Sequence, residues 1–143
     1  MGTSEVIFVD SNYFVSLFNP EDTRHQHALK ISDRIEEAET FLCISNFVFA
    51  EIVTVLSQRK SREAGIKAGM YLLSRNNIQT AHVDENVQAE SWKIFQETQS
   101  KNISFVDCSI IATMRAEGLQ KLLTFDTTDF VRLQSQHRFS FYE

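Results

Sequence analysis

Little in this chain would divide it. Proline occurs once, at Pro20, and no internal repeat, low-complexity tract or linker separates one stretch from another. A single domain spanning residues 1–143 and burying one sizeable core is therefore expected. Cysteine is nearly as scarce. Cys43 and Cys108 are too few and too far apart for a disulfide framework or a zinc site, and both read as buried thiols. His25 and His27 stand two positions apart, which turns them to different helix faces, so a histidine-based metal site is not expected and both read as solvated surface groups. No apolar run approaches the roughly 20 residues of a membrane span, and the N-terminus has no basic-then-apolar signal. The expectation is a cytosolic protein.

Positive charge is also short. The formal net charge of −5 argues on its face against a polyanionic partner. That total changes if some acids serve a cation: neutralising Asp10, Glu51, Asp107, Asp126 and Asp129 takes it from −5 to 0. Arg59, Lys60, Arg62 and Lys67 gather in "SQRKSREAGIK", which reads first as a solvated helix junction and second as a phosphate-contacting edge.

What the chain does have is a recurring form. "EVIFVD" is a short apolar run, β-branched and aromatic, that ends in an acid, and "TFLCIS" and "KLLTFD" repeat the pattern. "IQTAHV" predicts a fourth strand and "RFSFYE" a final edge strand. Between them the periodicity predicts a short helix after Asp10, then helices over 25–38, 46–59 (behind Ser45), 61–75, 84–98 and 105–117, the last closed by Gly118. Strands alternating with helices predict an α/β sandwich with a mostly parallel central sheet and right-handed crossovers. In such sheets, ligands bind beyond the carboxyl ends of the strands near a switch in strand order. Asp10 and Asp126 each follow a predicted strand directly, and Asp107 opens a helix, so all three should lie at that edge.

Each acid has a plainer explanation. Asp10 in "DSNY" can cap the helix it precedes, and Asp107 in "SFVD" fits a capping box with Ser104. Asp126 and Asp129 in "LLTFDTTDF" suit a turn. Glu51 is harder to dismiss, because "FVFAEIVTVL" carries a single charge among apolar residues and offers no basic partner at i±3 or i±4. Acids gathered at equivalent points of successive β-α units repel one another by up to about 4 kcal/mol per close pair at an effective dielectric near 20. A divalent cation reverses that sign. An all-oxygen donor set selects Mg²⁺ or Mn²⁺ over zinc or copper. Because Mg²⁺ keeps most of its waters, Asp10 and Asp107 are assigned as direct ligands, with Glu51 and Asp126 holding metal waters or a second ion.

In this order the residues resemble the PIN-domain ribonucleases, most closely the single-domain toxins of VapC type. The likeness lies in "FVDSNYF", "FVFAEI", "FVDCSIIATM" and "LLTFDTTDF" and extends over essentially the whole chain. It implies a three-layer α/β/α sandwich and Mg²⁺- or Mn²⁺-dependent endonucleolytic cleavage of RNA. By position, Asp10, Glu51, Asp107 and Asp126 match the family's four acidic site residues, and Asp129 a further acid. Asn12 and Thr124 fall where small polar residues orient those acids, and Ser45 where a Ser or Thr begins the Glu-bearing helix. Cys108 stands where Ala is more usual. A toxin-like protein should also have an antitoxin that covers an apolar groove, and should pair with itself as a homodimer. Phe47, Phe49, Val53 and Leu56 give the Glu51 helix more apolar surface than one core face needs, although core burial accounts for them equally. Two other readings remain: a PIN-like module that binds RNA or protein without cutting, and a phosphohydrolase resembling the haloacid dehalogenases, whose second carboxylate would be missing because position 12 is Asn.

Overall fold

The computed structural model describes residues 5–143. Five strands, β1 (Val6–Val9), β2 (Phe41–Ser45), β3 (Ile78–Ala81), β4 (Lys121–Leu123) and β5 (Ser140–Phe141), form one sheet in the order β3-β2-β1-β4-β5. Every pairing is parallel, including the two-residue edge strand β5 against β4, so the mostly parallel sheet expected is wholly parallel. The strands are apolar on both faces because both are covered: Ile7, Phe8, Val9, Leu42, Cys43, Ile44, Leu122 and Leu123 are all buried.

Seven helices make the crossovers: α1 (Ser11–Phe18), α2 (His25–Ala38), α3 (Asn46–Arg59), α4 (Arg62–Ser74), α5 (Glu85–Glu97), α6 (Phe105–Glu117) and α7 (Thr127–Gln134). The chain steps from β1 outward to β2 and β3, then returns past β1 to β4 and β5. Right-handed crossovers therefore put α1–α4 on one face and α5–α7 on the other, giving three layers. The helix contacts agree, since α1 packs on α2, α3 and α4 while α5 packs on α6.

Local chemistry sets the helix ends. Ser45 accepts the Val48 amide at 3.1 Å, Ser61 caps α4, Asp84 caps α5, and Gly118 closes α6 in the left-handed region at φ 68°. Helix α7 is absent from the sequence expectations, where "DTTDF" read as a turn. Its signal is short, only Phe130 and Leu133 buried at i, i+3 over eight residues. A second correction concerns Asp126. Strand β4 stops at Leu123, where Val9↔Leu123 is its last pairing with β1, so Thr124 takes the position after the strand and Asp126 becomes the residue before α7.

The strand order reverses between β1 and β4. The Asp10 amide donates to the Leu123 carbonyl at 2.9 Å, which fixes the carboxyl ends of these two strands side by side.

Candidate active site at the β1–β4 switch

Asp10 is 5% exposed and enclosed by donors. Its Oδ1 accepts the Ser11 amide at 2.7 Å, and its Oδ2 accepts the Thr124 hydroxyl at 2.9 Å and the Asn12 amide nitrogen at 3.4 Å. Asn12 in turn bonds Thr124 Oγ1 at 3.3 Å and receives the Phe125 amide on its own Oδ1 at 3.0 Å. Thr124 Oγ1 also accepts the Asp126 amide at 3.0 Å. The two small polar residues therefore knit the end of β1 to the segment after β4. Position 12 acts as an amide donor to Asp10, which leaves no second carboxylate for a phosphohydrolase pair.

The remaining acids come from three other segments. Asp107 is the third residue of α6 and completes the capping box: Ser104 Oγ accepts its amide at 3.0 Å and its Oδ2 accepts the Ser104 amide at 3.0 Å. Glu51 is half-buried in α3 and accepts the Ser11 hydroxyl on Oε1. Asp10, Glu51, Asp107 and Asp126 all line one cavity of about 480 Å³, together with Ser11, Asn12, Asp22, Arg24, Val55 and Arg59. Asp129 does not line it; one turn along α7, it acts on Asp126. Ser45 likewise serves as a buried helix cap away from the cavity wall.

The carboxyls feel one another. Burial pushes Asp10 up to about 7, and the charges of Asp107 and Glu51 add to it against the opposing hydrogen bonds from Thr124 and Ser11. Asp107 is raised by burial and by Glu51 and Asp126, with the Ser104 bonds opposing. Asp126 is raised by burial and then by Asp129, with Arg24 opposing. A cavity that holds Asp10, Asp107 and Asp126 above their usual range is poised to accept a cation.

Their arrangement is looser than a finished coordination cage. Among the described residues, no group of three or more His, Cys, Asp or Glu side chains is arranged to hold a metal ion. Glu51 and Asp107 are instead engaged by Ser11 and Ser104. The donor set still fits a hydrated Mg²⁺ or Mn²⁺, which needs only one or two carboxylates directly and reaches others through water.

Several positions differ from their sequence reading. Ser11, the Glu51 partner, was not singled out, although it sits in "DSNY" beside Asp10. Arg24 was missed too, because nothing in "EDTRHQH" marks a residue that folds back over the site. His25 is not simply solvated, as its Nδ1 lies 2.8 Å from the Ser16 carbonyl, whereas His27 is exposed as expected, its ring 5.4 Å from that of Phe125. Both cysteines are buried free thiols, as expected. The basic run disperses. Arg59 lines the acidic cavity, Lys60 pairs with Glu21, and Arg62 lines a different groove.

A parallel α/β/α sandwich with acids gathered at the β1–β4 switch is the arrangement of a PIN domain. The PIN-domain profile matches residues 7–135, and the chain belongs to that family. Among its relatives is the 23S rRNA-specific endonuclease VapC20 of Mycobacterium tuberculosis, 29% identical over 121 residues that cover 85% of this chain and 89% of the relative. Ribonuclease VapC6 of Methanocaldococcus jannaschii is 27% identical and covers 89% of this chain and 95% of its own. The crystal structure of VapC20, described as a sarcin-ricin loop cleaving toxin, superposes with a TM-score of 0.77 over 89% of this chain and 94% of that one. VapBC2 from Rickettsia felis, 17% identical, shares the fold with a TM-score of 0.65 over 96% of this chain and 99% of that one.

Proposed function

We propose that the protein is a metal-dependent endoribonuclease, the toxin member of a toxin–antitoxin pair, acting as one PIN-like domain. The observation that carries this reading is the meeting of Asp10, Glu51, Asp107 and Asp126 from four separate segments around one cavity. The family match and the named ribonuclease relatives support it.

Asp10 and Asp107 would hold Mg²⁺ or Mn²⁺ directly, with Glu51 and Asp126 reaching it through water. Bound there, the ion supplies Lewis-acid polarisation of a phosphodiester and lowers the pKa of a water. The chain's own residues do the positioning. Thr124 and Asn12 fix the Asp10 carboxylate, the Ser104 capping box fixes Asp107, and the Ser11 hydroxyl fixes Glu51. With attack in line on phosphorus, the products carry a 5′ phosphate and a 3′ hydroxyl.

The partners in this reading are RNA, an antitoxin and a second copy of the chain. The groove between α3 and α4 suits the antitoxin: Phe49 and Val53 face Ile66, Met70 and Leu73 across about 610 Å³, and the last three side chains are largely exposed. Leu56, by contrast, is fully in the core. The exposed, stacked Trp92 and Phe95 of α5, with ring centroids 5.8 Å apart, support the homodimer. Light scattering reads that state directly.

The looseness of the carboxylate set favours one competing reading, a PIN-like module that binds RNA or protein without cutting. Incubating the protein with ribosomal RNA hairpins in Mg²⁺ or Mn²⁺, with EDTA as the control, separates the two. Metal-dependent cleavage that Asp107→Asn abolishes supports the enzyme; intact RNA under every metal supports the binder.

A further inference from the structure

The cavity contains a contradiction. A pocket walled by five carboxylates, those of Asp10, Asp22, Glu51, Asp107 and Asp126, in a chain of net charge −5 repels the polyanion it is proposed to cut. Two guanidinium groups stand on its walls, those of Arg24 and Arg59. Neither is spent on a carboxylate. Among the described residues, the ion pairs are Lys60–Glu21, Arg75–Glu36 and Lys121–Glu5.

Although its charge opposes the upward shift of Asp126, the Arg24 side chain is held by a different residue. Its Nη1 donates to the Phe125 carbonyl at 2.9 Å, and its Cζ lies 5.5 Å from the centre of the Phe125 ring. Phe125 is itself fixed, by the Asn12 bond to its amide and by the Tyr13 ring 6.1 Å away. The backbone leading to Arg24 is fixed as well. Asp22 Oδ1 accepts the Arg24 amide at 2.8 Å and the Ser16 hydroxyl at 3.0 Å, and Glu21, pinned to Lys60, joins this loop to the end of α3. The guanidinium therefore spends one donor on a carbonyl, rests one face on a ring and keeps its other N–H groups for a ligand. Arg59 lies eight residues after Glu51 on α3, with Val55 between them, and all three line the cavity. Both arginines are exposed.

Resting on the endoribonuclease reading, we propose that Arg24 and Arg59 form the phosphate-gripping rim of the pocket, taking backbone phosphates of the RNA strand beside the bond to be cut. Guanidinium matches phosphate with two parallel N–H···O bonds, which a lysine cannot reproduce. Placing two cations beside five acids lets the strand approach without neutralising the metal site. An arginine already bonded and stacked loses little freedom when a phosphate arrives.

The test uses the full-length chain. In an Asp107→Asn background, binding of a fluorescent single-stranded oligoribonucleotide in Mg²⁺ is followed against salt concentration. Arg24→Gln and Arg59→Gln should each weaken binding at 0.1 M salt by about tenfold and make the log–log salt slope shallower by about 0.7, the value for one phosphate contact on a single strand. Arg24→Lys should keep the slope and recover only part of the affinity. With Asp107 restored, KM should rise by about tenfold for each Gln variant while kcat changes less than about twofold. Unchanged slope and KM in both variants overturn the proposal. So does weaker binding at unchanged slope, which makes Arg24 a strut. If Arg24→Gln does not fold, Arg24→Lys and Arg59→Gln still decide. Cleavage with arginine-independent binding rejects this proposal alone; arginine-dependent binding without cleavage rejects only the nuclease reading.

Discussion

The Thr124 hydroxyl donates to Asp10 Oδ2 at 2.9 Å across 114 positions of sequence. That bond ties the end of β4 to the deepest acid of the cavity and opposes the burial that pushes Asp10 upward. Replacing it by Val keeps the shape and removes the donor. Thr124→Val should raise the Asp10 pKa further, destabilise the fold by about 1–2 kcal/mol, and weaken metal binding by about 10–100-fold, as loss of a bond that orients a ligand does. Calorimetric titration with Mn²⁺ beside denaturant melts reads both.

Asp10 also predicts how stability depends on pH. Its carboxyl lies at about 7 when folded against an ordinary 3.8, so the folded state holds this proton more tightly than the unfolded chain. The stability it contributes is complete below 3.8 and is lost as pH rises through about 7, on the order of 4 kcal/mol in all. Asp107 shifts the same way. The metal-free protein should therefore melt higher at pH 5 than at pH 8, and Asp10→Asn should flatten that difference and stabilise the protein at pH 8. Saturating Mg²⁺ should raise the Tm of the wild type more at pH 8, because metal and proton compete for the same carboxylate.

Asp107 is both a cap and a proposed ligand, and one substitution separates the roles. An asparagine oxygen can still accept the Ser104 amide, so Asp107→Asn should change stability by less than about 1 kcal/mol while abolishing cleavage. Ser104→Ala should do the reverse in part, costing about 1 kcal/mol with residual activity. Full Mg²⁺-dependent activity in Asp107→Asn would remove Asp107 from the chemistry.

Gly65 sets how closely α4 approaches α3, the helix that carries Glu51. A Cβ there would meet Ser57 Oγ and lie 2.8 Å from the Val53 carbonyl oxygen. Since the obstacle includes backbone, Gly65→Ala should destabilise the protein by about 1–3 kcal/mol, as overpacking does, despite the gain in helix propensity. A thermal melt of the variant reads it.

Much of the fold was legible because its signals are local. "HQHALKISDRIEEA" carries its buried Ala28, Ile31 and Ile35 at helical spacing, and Gly118 marks the end of α6 without ambiguity. Helix α7 escaped because two buried residues in eight positions make no period. The candidate site was legible as four acids that come to line one cavity, but not as a geometry. The bonds of Ser11 to Glu51 and Arg24 to Phe125 span 40 and 101 positions, and nothing local in the chain encodes them. The dispersal of the basic run had the same cause, since Arg59, Lys60 and Arg62 turn to different surfaces where α3 gives way to α4.

The central claim is that the acids around Asp10 accept a hard divalent ion. Anomalous diffraction from a crystal of the protein soaked in Mn²⁺ tests it most directly. The account predicts one or two peaks in this cavity, at about 2–2.5 Å from carboxylate oxygens of Asp10 and Asp107. Manganese bound only elsewhere, with this cavity empty at saturating concentration, would contradict it.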